Sequence, residues 1–226
     1  MSVWAVLVAA GRGERLGGDR PKAFAPLAGL PLLAEPLRRL DEEPLVDAIV
    51  VVCPPEWEEQ SILVAEDLGA SKVSSCVPGG ESRSDSVRIG LAEVPEDAAV
   101  VLVHDAARPL LPEGVVQRLL DALLQGYDGA VPGLPVVDTM KRVVGDVVTE
   151  TLPRAELVAV QTPQAFVAPV LRRALGATGE QTDCAAFVEA AGGRVTIVAG
   201  DERLLKVTGP ADLARAAALL AAERGE

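Results

Sequence analysis

Positive charge and glycine meet in one short stretch of this sequence. Residues 7–24, LVAAGRGERLGGDRPKAF, carry Gly11, Gly13, Gly17 and Gly18 together with Arg12, Arg15, Arg20 and Lys22. Glycines let backbone N–H groups face an anion and basic side chains add charge around it, so the chemistry on offer is the holding of a polyphosphate. The spacing fits neither of two familiar phosphate loops. In GxxxxGK[ST] the lysine follows a glycine directly, whereas Lys22 follows Pro21; in GxGxxG a third glycine is needed where Leu16 stands, and the next strand ends in Cys53 instead of a ribose-holding acid. A surface loop with solvated basic residues is the plainer alternative, and the buried strand directly before it speaks against that.

Two further loops have the same character. VVLVHDAARP holds the only histidine, His104, followed by Asp105, Ala106, Ala107 and Arg108, and VPGGESRSDSV holds Gly79, Gly80, Glu81 and Ser86. A lone His-Asp pair is by itself an ordinary strand end. Lysine is scarce, 4 against 17 arginines, and Lys22, Lys141 and Lys206 all fall in segments of interest. A compact ammonium differs from a forked guanidinium, although Lys206 on spacing alone reads as a surface cation.

These loops need a scaffold. Short apolar runs (3–9, 47–53, 71–77, 99–105, 129–136, 194–200) alternate with amphipathic ones (31–42, 55–69, 82–94, 111–126, 168–176, 182–191 and from Pro210). Apolar strands alternating with helices predict an α/β fold with a mostly parallel sheet covered on both faces, and ligands at the carboxyl ends of its strands. Residues 135–166 break the pattern with three β-type runs, the first two split by Gly145-Asp146, and predict a hairpin projecting from the body. Such an arm has little core of its own and needs a surface to pack on, most simply a second copy of the chain. The expectation is one domain over 1–226 with a dimerisation arm at about 135–160.

The totals limit the alternatives. With 49% hydrophobic residues over 226 positions the chain can bury a large core, built from aliphatic residues because aromatics are 3%. The net charge of −12 argues against a nucleic-acid or membrane binder. Cys53, Cys76 and Cys184 are odd in number and widely spaced, which together with the lack of a long apolar run predicts a cytoplasmic protein with free thiols.

The residues together carry a resemblance. AAGRGERLGGDRPKAF is similar to the A-A-G-x-G-x-R…P-K signature of sugar and alcohol nucleotidyltransferases. VVLVHDAARP resembles the signature of 2-C-methyl-D-erythritol 4-phosphate cytidylyltransferases and their relatives acting on ribitol 5-phosphate. VPGGESRSDSV, DTMKR, Arg154 with TPQAF, TD and KVT follow in that family's order, over about residues 1–215. The resemblance implies a Rossmann-like nucleotidyltransferase fold. It also implies attack by a substrate phosphate on the α-phosphorus of CTP, expelling pyrophosphate.

Residue by residue, it assigns cytosine recognition to Ala9, Gly80, Glu81 and Ser86, and ribose and phosphates to Ala10, Gly11, Arg15, Lys22 and Ala106. Arg15, Lys22, Asp105 and Lys206 become catalytic, and Mg²⁺ is implied, held by phosphate and water with Asp105 indirectly orienting it. The polyol phosphate falls to Asp105 and Lys206 of one subunit and to Thr139, Arg154 and Thr162 on or beside the hairpin of a partner in a homodimer, with Arg108 as a further substrate-binding residue. No aromatic residue is expected near the base. Cys184 and Ala186 stand where the family usually has an acid and a serine, Leu204 where it has Asn, and Ala23 where it has Gln; these departures bear on helix capping and on the surroundings of Lys206. Ribitol 5-phosphate as acceptor, and a non-catalytic nucleotide-binding protein on the same scaffold, are the competing readings.

Overall fold

A computed structural model of the chain describes residues 2–11, 13, 20–176 and 181–225. The first half runs β1 (Val3–Val8), β2 (Pro26–Leu27), β3 (Leu30–Pro31), α1 (Ala34–Glu42), β4 (Ala48–Cys53), α2 (Glu58–Leu68), β5 (Val73–Pro78), α3 (Arg83–Ala92), β6 (Val100–Asp105) and α4 (Val115–Leu124). Then follow β7 (Gly129–Pro135), β8 (Met140–Val144), β9 (Val147–Leu152), β10 (Val158–Val160), β11 (Gln164–Val167), α5 (Ala168–Leu175), α6 (Cys184–Ala190), β12 (Val195–Ala199) and α7 (Pro210–Arg224). Among the described residues no helix is long and apolar enough to cross a membrane.

The central sheet has the order β10-β7-β11-β6-β1-β4-β5, with β12 added to β7. β1, β4, β5 and β6 are mutually parallel, as is β12 with β7. Successive side chains of a strand point to opposite faces. Ala5 and Leu7 of β1 accordingly join Ile49, Val51 and Leu102 on one face, where α4 and α1 pack, while Val6 joins Val50, Val52, Val101 and Val103 on the other, under α3, α5 and α6. Each fully buried Val or Leu contributes about 1.5–3 kcal/mol, which fixes the sheet and with it the strand ends.

Two features depart from the sequence reading. β11 lies inside the sheet, antiparallel to both β6 and β7, although its four residues read as the tail of a hairpin run. Phe166 fills the space over Gly129, where a Cβ would come within 2.7 Å of the ring. The third β-type run also belongs to the body: β10 pairs with β7 at the sheet margin. The arm is therefore only β8 and β9, a separate two-stranded sheet turned at Gly145-Asp146, with Gly145 at φ +58°. Glycine at the first of two turn positions is what a II′ hairpin requires.

Candidate active site

The three glycine-bearing loops converge at the carboxyl ends of the parallel strands. Ala9 N–H donates to Val52 O (2.7 Å), Gly79 N–H to Cys53 O (2.8 Å) and Ala106 N–H to Val8 O (3.0 Å), so each loop starts from a neighbouring strand's last carbonyls. They border a cleft of about 870 Å³ lined by Ala9, Ala10 and Gly11 from the first loop, Gly80 to Arg83 and Ser86 from the second, and Asp105 to Ala107 from the third, with Lys22 and Lys206. The approach is close: a Cβ on Gly79 would lie 2.2 Å from the Ala10 Cβ. Gly13, at φ +70°, packs onto Lys22 in the same manner. Lys22 opens a 3-10 turn, Lys22–Phe24, whose Ala23 and Phe24 are buried; Phe24 packs on Trp57 with ring centroids 4.5 Å apart. The lysine thus sits on an anchored backbone.

Asp105 is the electrostatic centre. Arg83 places Nε and Nη2 on its Oδ1, both at 2.9 Å, and Lys206 Nζ donates to Oδ2 at 2.8 Å. Asp105 is 6% exposed. Burial alone raises a carboxyl pKa, but Arg83 and Lys206 outweigh it and hold this one far below the usual carboxylate range. Behind it runs a buried strut. Asp105 N–H donates to Thr162 Oγ1 (3.1 Å), that hydroxyl meets His104 Nδ1 (3.1 Å), and His104 Nε2 meets Arg108 O (3.0 Å). A carbonyl only accepts, so Nε2 carries the proton and Nδ1 accepts from Thr162. Burial pushes the His104 pKa down to about 4, keeping the ring neutral.

This arrangement has known relatives. Residues 3–222 match the family model described as IspD: 2-C-methyl-D-erythritol 4-phosphate cytidylyltransferase. The chain belongs to that family. It is 47% identical over 220 residues to the 2-C-methyl-D-erythritol 4-phosphate cytidylyltransferase of Nocardia farcinica (97% of this chain, 94% of the relative). It is also 47% identical over 227 residues to that of Saccharopolyspora erythraea (98% and 100%). The crystal structure of the Thermus thermophilus cytidylyltransferase superposes with a TM-score of 0.77 at 34% identity, covering 95% of this chain and 97% of that one.

Within this cytidylyltransferase, the cleft gathers ten of the residues put forward from sequence, Ala9, Ala10, Gly11, Lys22, Gly80, Glu81, Ser86, Asp105, Ala106 and Lys206. Arg15 lies outside the described residues. Thr162 corrects its assignment: it was expected to serve a partner's site, but it is buried against Asp105 of its own chain with its hydroxyl engaged there. Arg108 donates to Leu204 O (2.5 Å) and Val160 O (3.3 Å), tying β10 to the segment before Lys206 without lining the cleft. Thr139 and Arg154 are exposed and lie outside the cleft's lining; Arg154 Nη1 donates to Val137 O at 2.5 Å.

Among the cleft residues assigned no role from sequence are Arg83 and Trp57. No aromatic residue was expected near the base, yet Trp57, directly before helix α2, lines the same cleft as Ala9, Gly80, Glu81 and Ser86. The signal for Arg83 was its place in GGESRSDS. The departures prove compatible with the scaffold. Asp183 caps α6 by accepting from Ala186 N–H (3.0 Å), and Leu204 and Ala23 are buried in the core.

The described residues contain no cluster of three or more acids, histidines or cysteines able to hold a metal. Asp105 already has a cation on each oxygen. With both oxygens engaged, Asp105 could orient a magnesium ion only through water.

Proposed function

We propose that the cleft binds CTP and transfers its cytidylyl group to 2-C-methyl-D-erythritol 4-phosphate, in the synthesis of isoprenoid precursors, releasing pyrophosphate. The observation that carries this is the convergence of Lys22, Arg83 and Lys206 around a glycine-edged cleft in a chain of this family. An acceptor phosphate oxygen attacks the α-phosphorus, the α–β phosphoanhydride bond breaks and the β- and γ-phosphates leave as pyrophosphate; no protein nucleophile is needed, so positioning and charge neutralisation supply the catalysis. Lys22, with Arg15, stabilises the charge that grows on the α-phosphoryl oxygens. Magnesium, when bound, would neutralise phosphate charge, and Asp105 is the residue that would help to orient it.

Asp105 accepts from the acceptor's hydroxyl groups and Lys206 turns to its phosphate. The base is read at the second loop. Ser86 Oγ accepts from Gly80 N–H (3.1 Å) and donates to Ser82 O (3.0 Å), so its remaining capacity is as an acceptor. That suits the exocyclic amine of cytosine and not the carbonyl of uracil.

The enzyme acts as a homodimer in this reading. The arm exposes Val143, Val144, Val147 and Val148 at 55–70%, and an isolated two-stranded ribbon is marginal in water. Mutual packing of two arms in an isologous interface covers these valines and brings Thr139 and Arg154 to the neighbouring cleft. A cytoplasmic location suits the unpaired Cys53, Cys76 and Cys184.

The test incubates the protein with CTP, magnesium and either 2-C-methyl-D-erythritol 4-phosphate or ribitol 5-phosphate, following pyrophosphate and product mass. Turnover with the methylerythritol substrate is expected. Preference for ribitol 5-phosphate overturns the acceptor, and no pyrophosphate with either overturns the catalytic reading.

A further inference from the structure

Asp105 has two oxygens with unlike partners. Lys206, on Oδ2, comes from the segment before α7 with its side chain 42% exposed; Arg83, on Oδ1, is 25% exposed. Arg83 is the first residue of α3, a helix whose start is locked by a reciprocal box: Ser82 accepts from Asp85 N–H and Asp85 accepts from Ser82 N–H. Its guanidinium is forked around Oδ1, and the third nitrogen, Nη1, faces the Cys184 sulfur at 3.8 Å.

Among the described residues, nothing in that direction competes for its charge. Burial raises the Cys184 pKa to about 11, so the thiol is neutral. The neighbouring acids are engaged elsewhere: Asp183 accepts from Ala186 N–H and from Gln164, and Asp85 from Ser82 and Arg88. Where the family usually has an acid, this chain has Cys184, and Arg83 is left to Asp105.

We propose that Arg83 is a positioning residue for the acceptor half of the site: it holds Asp105 Oδ1 so that Oδ2 faces the polyol when Lys206 leaves to meet the acceptor phosphate. This rests on the reading of Asp105 and Lys206 given above. A lysine in place of Arg83 offers one point charge instead of a fork and holds Oδ1 less well. An arginine at this position also lines the cleft, so a direct contact with the nucleotide is the alternative that the test must separate.

Steady-state kinetics with CTP and acceptor varied separately, on the wild type, Arg83→Met, Arg83→Lys, Asp105→Asn and the double variant Arg83→Met/Asp105→Asn, make that separation. Coupled neighbours give non-additive effects. The expected result is a fall of about tenfold or more in kcat/KM for the acceptor in Arg83→Met, with KM for CTP changed less than about twofold and partial recovery in Arg83→Lys. The double variant should be no worse than Asp105→Asn alone.

Additive losses, or a rise in KM for CTP, overturn the positioning role while leaving the proposed reaction standing. An acceptor KM unmoved by Asp105→Asn overturns the role of Asp105 and this proposal with it. A wild type without turnover overturns the proposed reaction, and the proposal is then read from the carboxyl carbon of Asp105 by NMR. Its titration should move upward in Arg83→Met and in Arg83→Lys, the second variant guarding against loss of fold in the first; an unmoved titration overturns the proposal.

Discussion

Lys22 stands in a loop anchored by the burial of the next two residues, Ala23 and Phe24. Lys22→Ala should therefore lower pyrophosphate release by about 100-fold or more with an unchanged melting transition; activity near wild type removes the lysine from the mechanism. Ser86→Ala removes the acceptor that favours cytosine, and the CTP-to-UTP ratio of kcat/KM should fall by about tenfold, corresponding to the roughly 1–3 kcal/mol of a buried unpaired group. An unchanged ratio assigns base choice elsewhere. His104 gives a pH prediction. Its folded pKa, about 4, is below the 6.5 of a free histidine, so between these values the unfolded chain binds the extra proton. Stability is complete above about pH 6.5 and falls as pH drops toward 4, by up to about 3 kcal/mol. Asp105, whose pKa is also depressed, adds a further loss at lower pH. Urea midpoints from pH 7 to 4 should fall in the wild type and be flatter in His104→Gln over this window.

At the scale of elements, the arm and the body answer to different forces. β1, β4 and β6 are held by burial on both faces, whereas β8 and β9 are paired only with each other and every residue of β8 is exposed. Val144→Asp with Val147→Asp should therefore leave the melting of the body nearly unchanged but give a monomer by light scattering and a poor acceptor KM. A dimer that persists places the interface elsewhere. Complementation supplies an independent check. In a shared site, exchange between Lys22→Ala and Arg154→Ala subunits regenerates one wild-type site per heterodimer, because the Arg154→Ala subunit keeps Lys22 and receives Arg154. Parental activity after confirmed exchange contradicts the shared site.

Across the whole molecule, Lys206 depends on how α7 docks. Leu27, Leu32, Leu110, Val207, Ala216 and Leu220 form a small cluster of their own, and Arg39 reaches from α1 to Glu223 at 2.5 Å and to Leu111 O at 3.0 Å. Leu220→Ala should cost about 2–5 kcal/mol, read as a lower melting temperature, and loosen Lys206 enough to raise the acceptor KM. The sequence by itself determined a great deal here. Uninterrupted Val and Ile runs suit strands buried on both faces, and strand ends followed by Gly, Arg and Asp mark the ligand edge, so the fold class and the three loops that border the cleft were legible. What it could not show were the contacts between distant segments. β11 is a strand because Phe166 has Gly129 to lie over, Thr162 serves its own chain's Asp105 because β11 returns beside β6, and Trp57 reaches the cleft because it packs on Phe24. Arg83 could be read as a loop cation, but its grip on Asp105 across 22 residues exists only once the start of α3 and the end of β6 meet at the cleft. Local pattern follows from the period of burial along one segment, whereas these pairings are set by the packing of several segments at once, and that is decided in the tertiary structure alone.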